Sequence, residues 1–198
     1  MATFKTRIEE LVGEQTDSAT LDNYLTATAS ELLQVMPDTD LLRYAEEEII
    51  QDDDGFDTKN KRVLGLVRDG YNAQEVNLGM KTQVVDPNSI HFSAKRSPVY
   101  YYDGGTVFVK PAPSADEQVQ FKFVTYPTVL RTDESITGYP ETAEYAVVLG
   151  ACVKILTKVL NTAINENEDI ELSSGIKNQL DTINGLYQAE VQRLGALQ

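Results

Sequence analysis

YPETAEYAVVLGACVKILTKVLNTAI, from Tyr139 to Ile164, is the stretch from which the fold is read. Gly138 and Pro140 break what precedes it, and proline suits the first turn of a helix, where its missing N–H costs nothing. Glu141 and Glu144 follow where the positive end of a helix dipole favours anions. From Tyr145 onward almost every residue is apolar, with Lys154 and Lys158 as the main polar interruptions, four apart on one stripe. A helix apolar around most of its circumference has to be covered on several sides. In a chain of 198 residues that means the centre of the fold, or a core shared with neighbouring subunits.

Helical spacing also marks both ends of the chain. Thr3 to Val12 reads as a short helix closed by Gly13. Asp17 or Ser18 caps a second helix running to about Met36, with Leu21, Leu25, Ala29, Leu32 and Leu33 on one face. Pro37 ends it, and Asp38 or Thr39 opens a further helical turn. The last helix is expected to be capped by Ser173 or Ser174, after an acidic loop from Asn165 to Glu171. Its stripe of Ile176, Leu180, Ile183, Tyr187, Leu194 and Leu197, interrupted by Glu190, is a seam for one neighbour.

Between these helices the period changes to two. Glu46 to Ile50 and Lys61 to Arg68 read as strands, and their opposite charges suit an antiparallel pair across the turn Asp52 to Gly55. Asp69-Gly70 is a second turn. Val76 to Val85 carries no clear period, and Asp86-Pro87 opens a turn through Phe92. Val99 to Tyr102, Asp103-Gly104-Gly105 and Thr106 to Lys110 form a hairpin ended by Pro111 and Pro113. In the next strand Val119, Phe121, Phe123 and Thr125 alternate against Gln118, Gln120, Lys122 and Val124. The fold class is α+β: a helical bundle of N-terminal helices and two long C-terminal helices, with an inserted antiparallel β-rich region. The boundaries are 1–44, 45–138 and 139–198.

Thirty-one acidic residues face seventeen basic ones, for a net charge of −14. That argues against a broad basic face gripping phosphates, but not against a wall past which DNA slides. Cys152 stands alone, so no disulfide forms within the chain, and on an apolar face it reads as a small core residue. The first residues show no leader, and Lys154 cuts the apolar run short of a membrane span, so no membrane partner is expected.

No residue cluster announces chemistry, and no catalytic residue, cofactor or metal site is assigned. His91, the one histidine, has no serine and carboxylate placed beside it. The turn QDDDGFDTKNK fails as a calcium loop: with Gly55 sixth, Ile50 would be first and Lys61 twelfth. A small carboxylate-based hydrolase drawn from Asp52 to Asp57 or Glu166 to Glu171 is a distant alternative, since these runs read as exposed turns. Tyr100, Tyr101 and Tyr102 put aromatic rings on both faces of a strand, which calls for cover on both sides. A subunit interface would supply it. With Tyr145, Val147 and Ile155 they make up the expected interface set.

The order of elements, with Tyr139, Pro140, Glu141, Tyr145 and Ala151 opening the central helix, resembles the head-to-tail adaptor proteins of tailed phages. The tail tubular or nozzle adaptors of short-tailed phages are the nearest in pattern. SIHFSAKRSPVYYYDGGTVFVKPAP is similar to stretches in virion structural proteins of marine phages. The resemblance implies a protein made in the host cytoplasm and built into the virion at the head–tail junction. It would form a ring, commonly of twelve subunits, between the portal protein and the tail or nozzle, with DNA passing through unbound. Another neck, tail-completion or minor capsid protein is the alternative with overlapping expectations.

Overall fold

A computed structural model describes residues 2–14, 17–167 and 170–195. Two compact units emerge, and the fold is α+β. The helical unit is discontinuous in sequence, taking the chain up to Asp40 and again from Tyr126. The β unit is the continuous run Leu41–Thr125.

In the helical unit, α1 spans Phe4–Val12 and α2 Ser18–Val35, with the single turn α3 at Asp38–Leu41. Thr3 caps α1 by accepting from the Thr6 N–H, Asp17 caps α2 by accepting from Thr20, and Gly13 closes α1 at φ 82°. The central helix α4 runs Glu141–Thr162 with Pro140 as its N-cap, then widens into a π-helical turn over Ala163–Asn167. The long helix α5, Ile170–Gly195, begins before the serines expected to cap it. The acidic stretch ahead of it is thus helical in its first part rather than a loop, while 168–169 lie outside the described residues.

Helix α4 packs against α1, α2 and α5. Beyond the exposed Tyr145 its first half is enclosed: Ala146, Val147, Val148, Leu149, Ala151 and Cys152 are buried. The close approach is paid for at Gly150, where a Cβ would meet Thr28 Cγ2 at 2.3 Å and the Tyr187 ring at 2.9 Å. The seam on α5 is present, with Ile183 and Leu194 buried and Ile176, Leu180 and Tyr187 half-buried; Leu197 lies outside the described residues.

The stretch from Tyr126 to Gly138 is more than a polar connector. Its carbonyls at Asp133 and Arg131 accept from the Phe4 and Lys5 N–H groups, at 2.9 Å each, so it satisfies donors that the first turn of α1 leaves open. Thr26 Oγ1 donates to the Val129 carbonyl at 3.2 Å and accepts its N–H at 3.0 Å. Asp22 takes both the backbone N–H and the guanidinium of Arg131, at 2.7 Å each. Glu144, 6% exposed, reaches back from α4 to accept the Ile136 N–H at 2.9 Å.

The β unit holds strands β1 (Glu46–Ile50), β2 (Phe56–Asp57), β3 (Lys61–Arg68), β4 (Tyr71–Asn72), β5 (Gln74–Glu75), β6 (Val99–Asp103), β7 (Thr106–Lys110) and β8 (Val119–Thr125). They form two sheets, ordered β1-β8-β3-β4 and β2-β7-β6-β5. Pairing is antiparallel except between β5 and β6. The expected pair of β1 with β3 does not form, because β8 lies between them. Its Val119, Phe121 and Phe123 are all buried, and its Lys122 takes the Glu47 carboxylate at 3.1 Å.

Phe56 stacks on Phe121 with centroids 4.4 Å apart, and Leu66, Val107, Val109, Val119 and Phe123 complete a core between the sheets. At the end of β8 the alternation slips, so Val124 is buried and Thr125 exposed. Both tight hairpins follow their sequence. Asp69-Gly70 (φ 48° and 82°) joins β3 to β4, and Gly104-Gly105 (φ 61° and 86°) joins β6 to β7.

Candidate interaction surfaces

The expected interface residues divide sharply by burial. Val147 and Ile155 are 0% and 5% exposed within their own helical unit, so they are core, not surface. Tyr101 is 2% exposed because Val76, Met80 and Val84, from the stretch with no clear period, cover that face of the second sheet from within. Its ring stacks on Phe108 at 5.8 Å. The cover anticipated from a second subunit is therefore intramolecular on this side. Tyr100 and Tyr102 share the opposite face, edge to face at 6.0 Å, with Tyr100 half-buried and Tyr102 exposed. Tyr145 is exposed on α4. The residues of the set that a partner can reach are Tyr100, Tyr102 and Tyr145.

The ionisable groups are arranged for charge, not for proton transfer. Arg68, 1% exposed, donates through Nη2 to Glu117 at 2.7 Å and to the Ala112 carbonyl at 3.0 Å. Its Nε and Nη1 have no acceptor among the described residues. Lys95 reaches Glu117 at 2.8 Å and Asp69 at 2.9 Å. Hydrogen bonds from Lys95 and then Arg68 hold the Glu117 carboxyl below its usual range, and those to Glu117 and Asp69 hold Lys95 above its own. Such a cluster keeps its charges across neutral pH, the opposite of what a general acid or base needs.

In the acidic turn, Asp53 pairs with Lys110 at 2.6 Å, Asp52 caps the Asp54 N–H and Asp57 caps the Lys59 N–H. His91 is exposed. Among the described residues no group of His, Cys, Asp and Glu is placed to hold a metal ion.

Among the described residues, two of the apolar features at the surface stand out, one on each unit. In the helical unit, α2 and α4 form a groove of about 530 Å³, lined by Tyr24, Val153, Thr157, Asn161 and the stems of Lys154 and Lys158. Lys154 pairs with Glu31 at 2.7 Å and Lys158 with Asp17 at 3.1 Å. Hydrogen bonds from Thr20, then from Lys158, bring the Asp17 carboxyl down to about 2. Beyond the groove Val159 and Ile164 are exposed, so the second half of α4 lacks the cover that the first half has. By length and mean hydropathy, 1.7 over its most apolar window, Glu141–Asn165 would reach across a membrane, a property the lysine interruption had argued against. Half of that window is buried, as in a core helix.

In the β unit, Ile90 stands at the tip of the turn Asp86–Phe92 and is 94% exposed, with Phe92 beside it at 46%. Sequence reading passed over it by attending to His91; an isoleucine flanked by turn-formers in DPNSIHF was the available signal.

Compared with known families, the chain matches the family model described as SU10 adaptor protein over residues 2–196. No curated protein matches it.

Proposed function

The chain belongs to the SU10 adaptor protein family, a family of phage structural adaptors, and from that premise we propose that it works as a ring between portal and tail. The family is one of virion components that act with other phage structural proteins, and it is not an enzyme class. The proposed ring is a closed homo-oligomer, of twelve copies by the resemblance. It docks on the portal protein at the head–tail junction, meets the tail or nozzle on its other side, and lets DNA through its centre.

The observation that carries this reading is the match over nearly the whole chain, both units included. Physical chemistry supports it in two ways. Each unit leaves apolar surface uncovered, at Val159 and Ile164 on one and at Ile90, Phe92 and Tyr102 on the other, as a protomer awaiting neighbours does. A net charge of −14 repels a polyanion, so DNA in the channel would slide and not stick. Tyr100, Tyr102 and Tyr145 are proposed contact residues.

Sedimentation and negative-stain imaging of the purified protein, alone and with portal protein, test the ring. Closed rings are expected; a monomer under every condition, portal included, overturns the reading. Capture by tail-tube protein in preference to portal would favour a tail-completion role instead.

A further inference from the structure

We propose that Glu117 is a latch on which three loops of the β unit close, and that the loops open together when it lets go, leaving both sheets intact. The inference concerns one β unit alone and stands apart from the ring reading.

The loops lie at one end of the two sheets. There β3 ends at Arg68 opposite Val119, where β8 begins, and β7 ends at Lys110 opposite Val99, where β6 begins. From that end come the turn 69–70, the turn 94–97 just ahead of β6, and the strap 111–118, which crosses from β7 in one sheet to β8 in the other. None of their residues is buried; Pro111, Pro113 and Glu117 reach only half-burial. Apolar packing therefore does not fix them, and segments of that kind sit at the low end of local stability.

One carboxylate holds them instead. Glu117 Oε2 accepts from Arg68 at 2.7 Å, and Oε1 takes Lys95 at 2.8 Å. Arg68 also donates to the Ala112 carbonyl on the strap, at 3.0 Å, and Lys95 reaches on to Asp69 at 2.9 Å. Strap and both turns thus meet at a single side chain. Backbone bonds depend on that meeting: the Glu117 N–H gives to the Ser114 carbonyl at 3.1 Å, and Ser97 to Ala94 at 2.9 Å. The Asp69 N–H crosses to the Gln118 carbonyl at 3.2 Å.

The latch is specific without being deep. Arg68 is 1% exposed, and Nη2 alone carries its bonds to the strap. Taking a guanidinium out of water offsets most of what a buried ion pair gains. Opening returns that hydration, so the closed state is favoured by little. The core between the sheets, with Phe56, Phe121 and Val107, includes no residue of the three loops. This end of the β unit can therefore reshape against a partner while the strands keep their register.

Hydrogen exchange of the full-length protein, followed by mass spectrometry on overlapping fragments, tests the latch. In the wild type the amides of Asp69, Ser97 and Glu117 are expected to share one degree of protection. Glu117→Gln keeps the shape and removes the charge. It is expected to speed all three by a common factor of about ten or more, as loss of a charged hydrogen bond implies. The Lys61 N–H, bonded to the Thr58 carbonyl at 2.9 Å, and the amides of β8 are expected to keep their rates. Lys95→Met is expected to speed Ser97 and not Glu117, because Arg68 still holds the strap. A faster Glu117 amide alone would show three independent loops, and acceleration spreading through β8 would make Glu117 a support of the whole unit. Either result overturns the inference, as do unchanged rates in both variants.

Discussion

Gly150 shows how little of a tertiary contact is written beside the residue that permits it. Its neighbours Leu149 and Ala151 give no hint of it, since the approach comes from Thr28 on α2 and Tyr187 on α5, far away in sequence. Gly150→Ala is therefore expected to destabilise the protein by about 1–3 kcal/mol, the cost of overpacking, in spite of the better helix propensity of alanine. Denaturant unfolding followed by circular dichroism would measure it. Cys152, two residues on, was legible as core, and desolvation pushes its thiol up to about 12. In the folded protein at pH 8 it is expected to be silent toward an aromatic disulfide reagent, and to react fully once denatured. Val147 and Ile155 were legible as apolar but not as enclosed: burial by one's own chain and burial by a neighbour leave the same mark on sequence.

At the level of elements, the signals that survive are those made locally. The caps Asp17 and Gly13 and the two hairpin turns stand where the residues put them, because each is settled by a few adjacent backbone groups. The pairing of β1 with β3 failed for the converse reason. Strand order depends on which apolar face needs a partner, and β8 arrives some fifty residues after β3 to take the middle place. Likewise nothing in Val76 to Val84 announced that it would cover Tyr101, since the segment has no period of its own.

The cap of α2 carries a pH dependence. Asp17 stays ionised to about pH 2 in the fold, against an ordinary value of 3.8. Its contribution is whole above the higher figure and is lost as pH falls through the lower one. Wild type is thus expected to lose stability relative to Asp17→Ala between about pH 4 and pH 2, and the two curves should run parallel above pH 5. Thermal melts across that range would show whether they do.

As a whole, the molecule is a helical unit whose sequence is interrupted by a complete β unit. The helix–β–helix layout could be read in advance; that Tyr126 to Gly138 belongs with the helices could not, because its partners are backbone groups of α1 and side chains of α2. The residues from Tyr126 onward, expressed alone, are expected to aggregate, because α4 then lacks α1 and α2. Adding residues 1–40 as a separate chain should restore a soluble helical species, seen as a defined peak in size-exclusion chromatography with a matching helical spectrum.

That interruption also sets a timetable on the ribosome. The apolar stripe of α2 is finished by Met36, but the helix that shields it starts only at Glu141. At translation speeds of roughly 5–20 residues per second, the nascent N-terminus waits on the order of 5–20 s, greasy and unpaired, while the strands between are made. The most apolar helix of all is spared most of that wait, for α1 and α2 are already made when it emerges and α5 follows it directly.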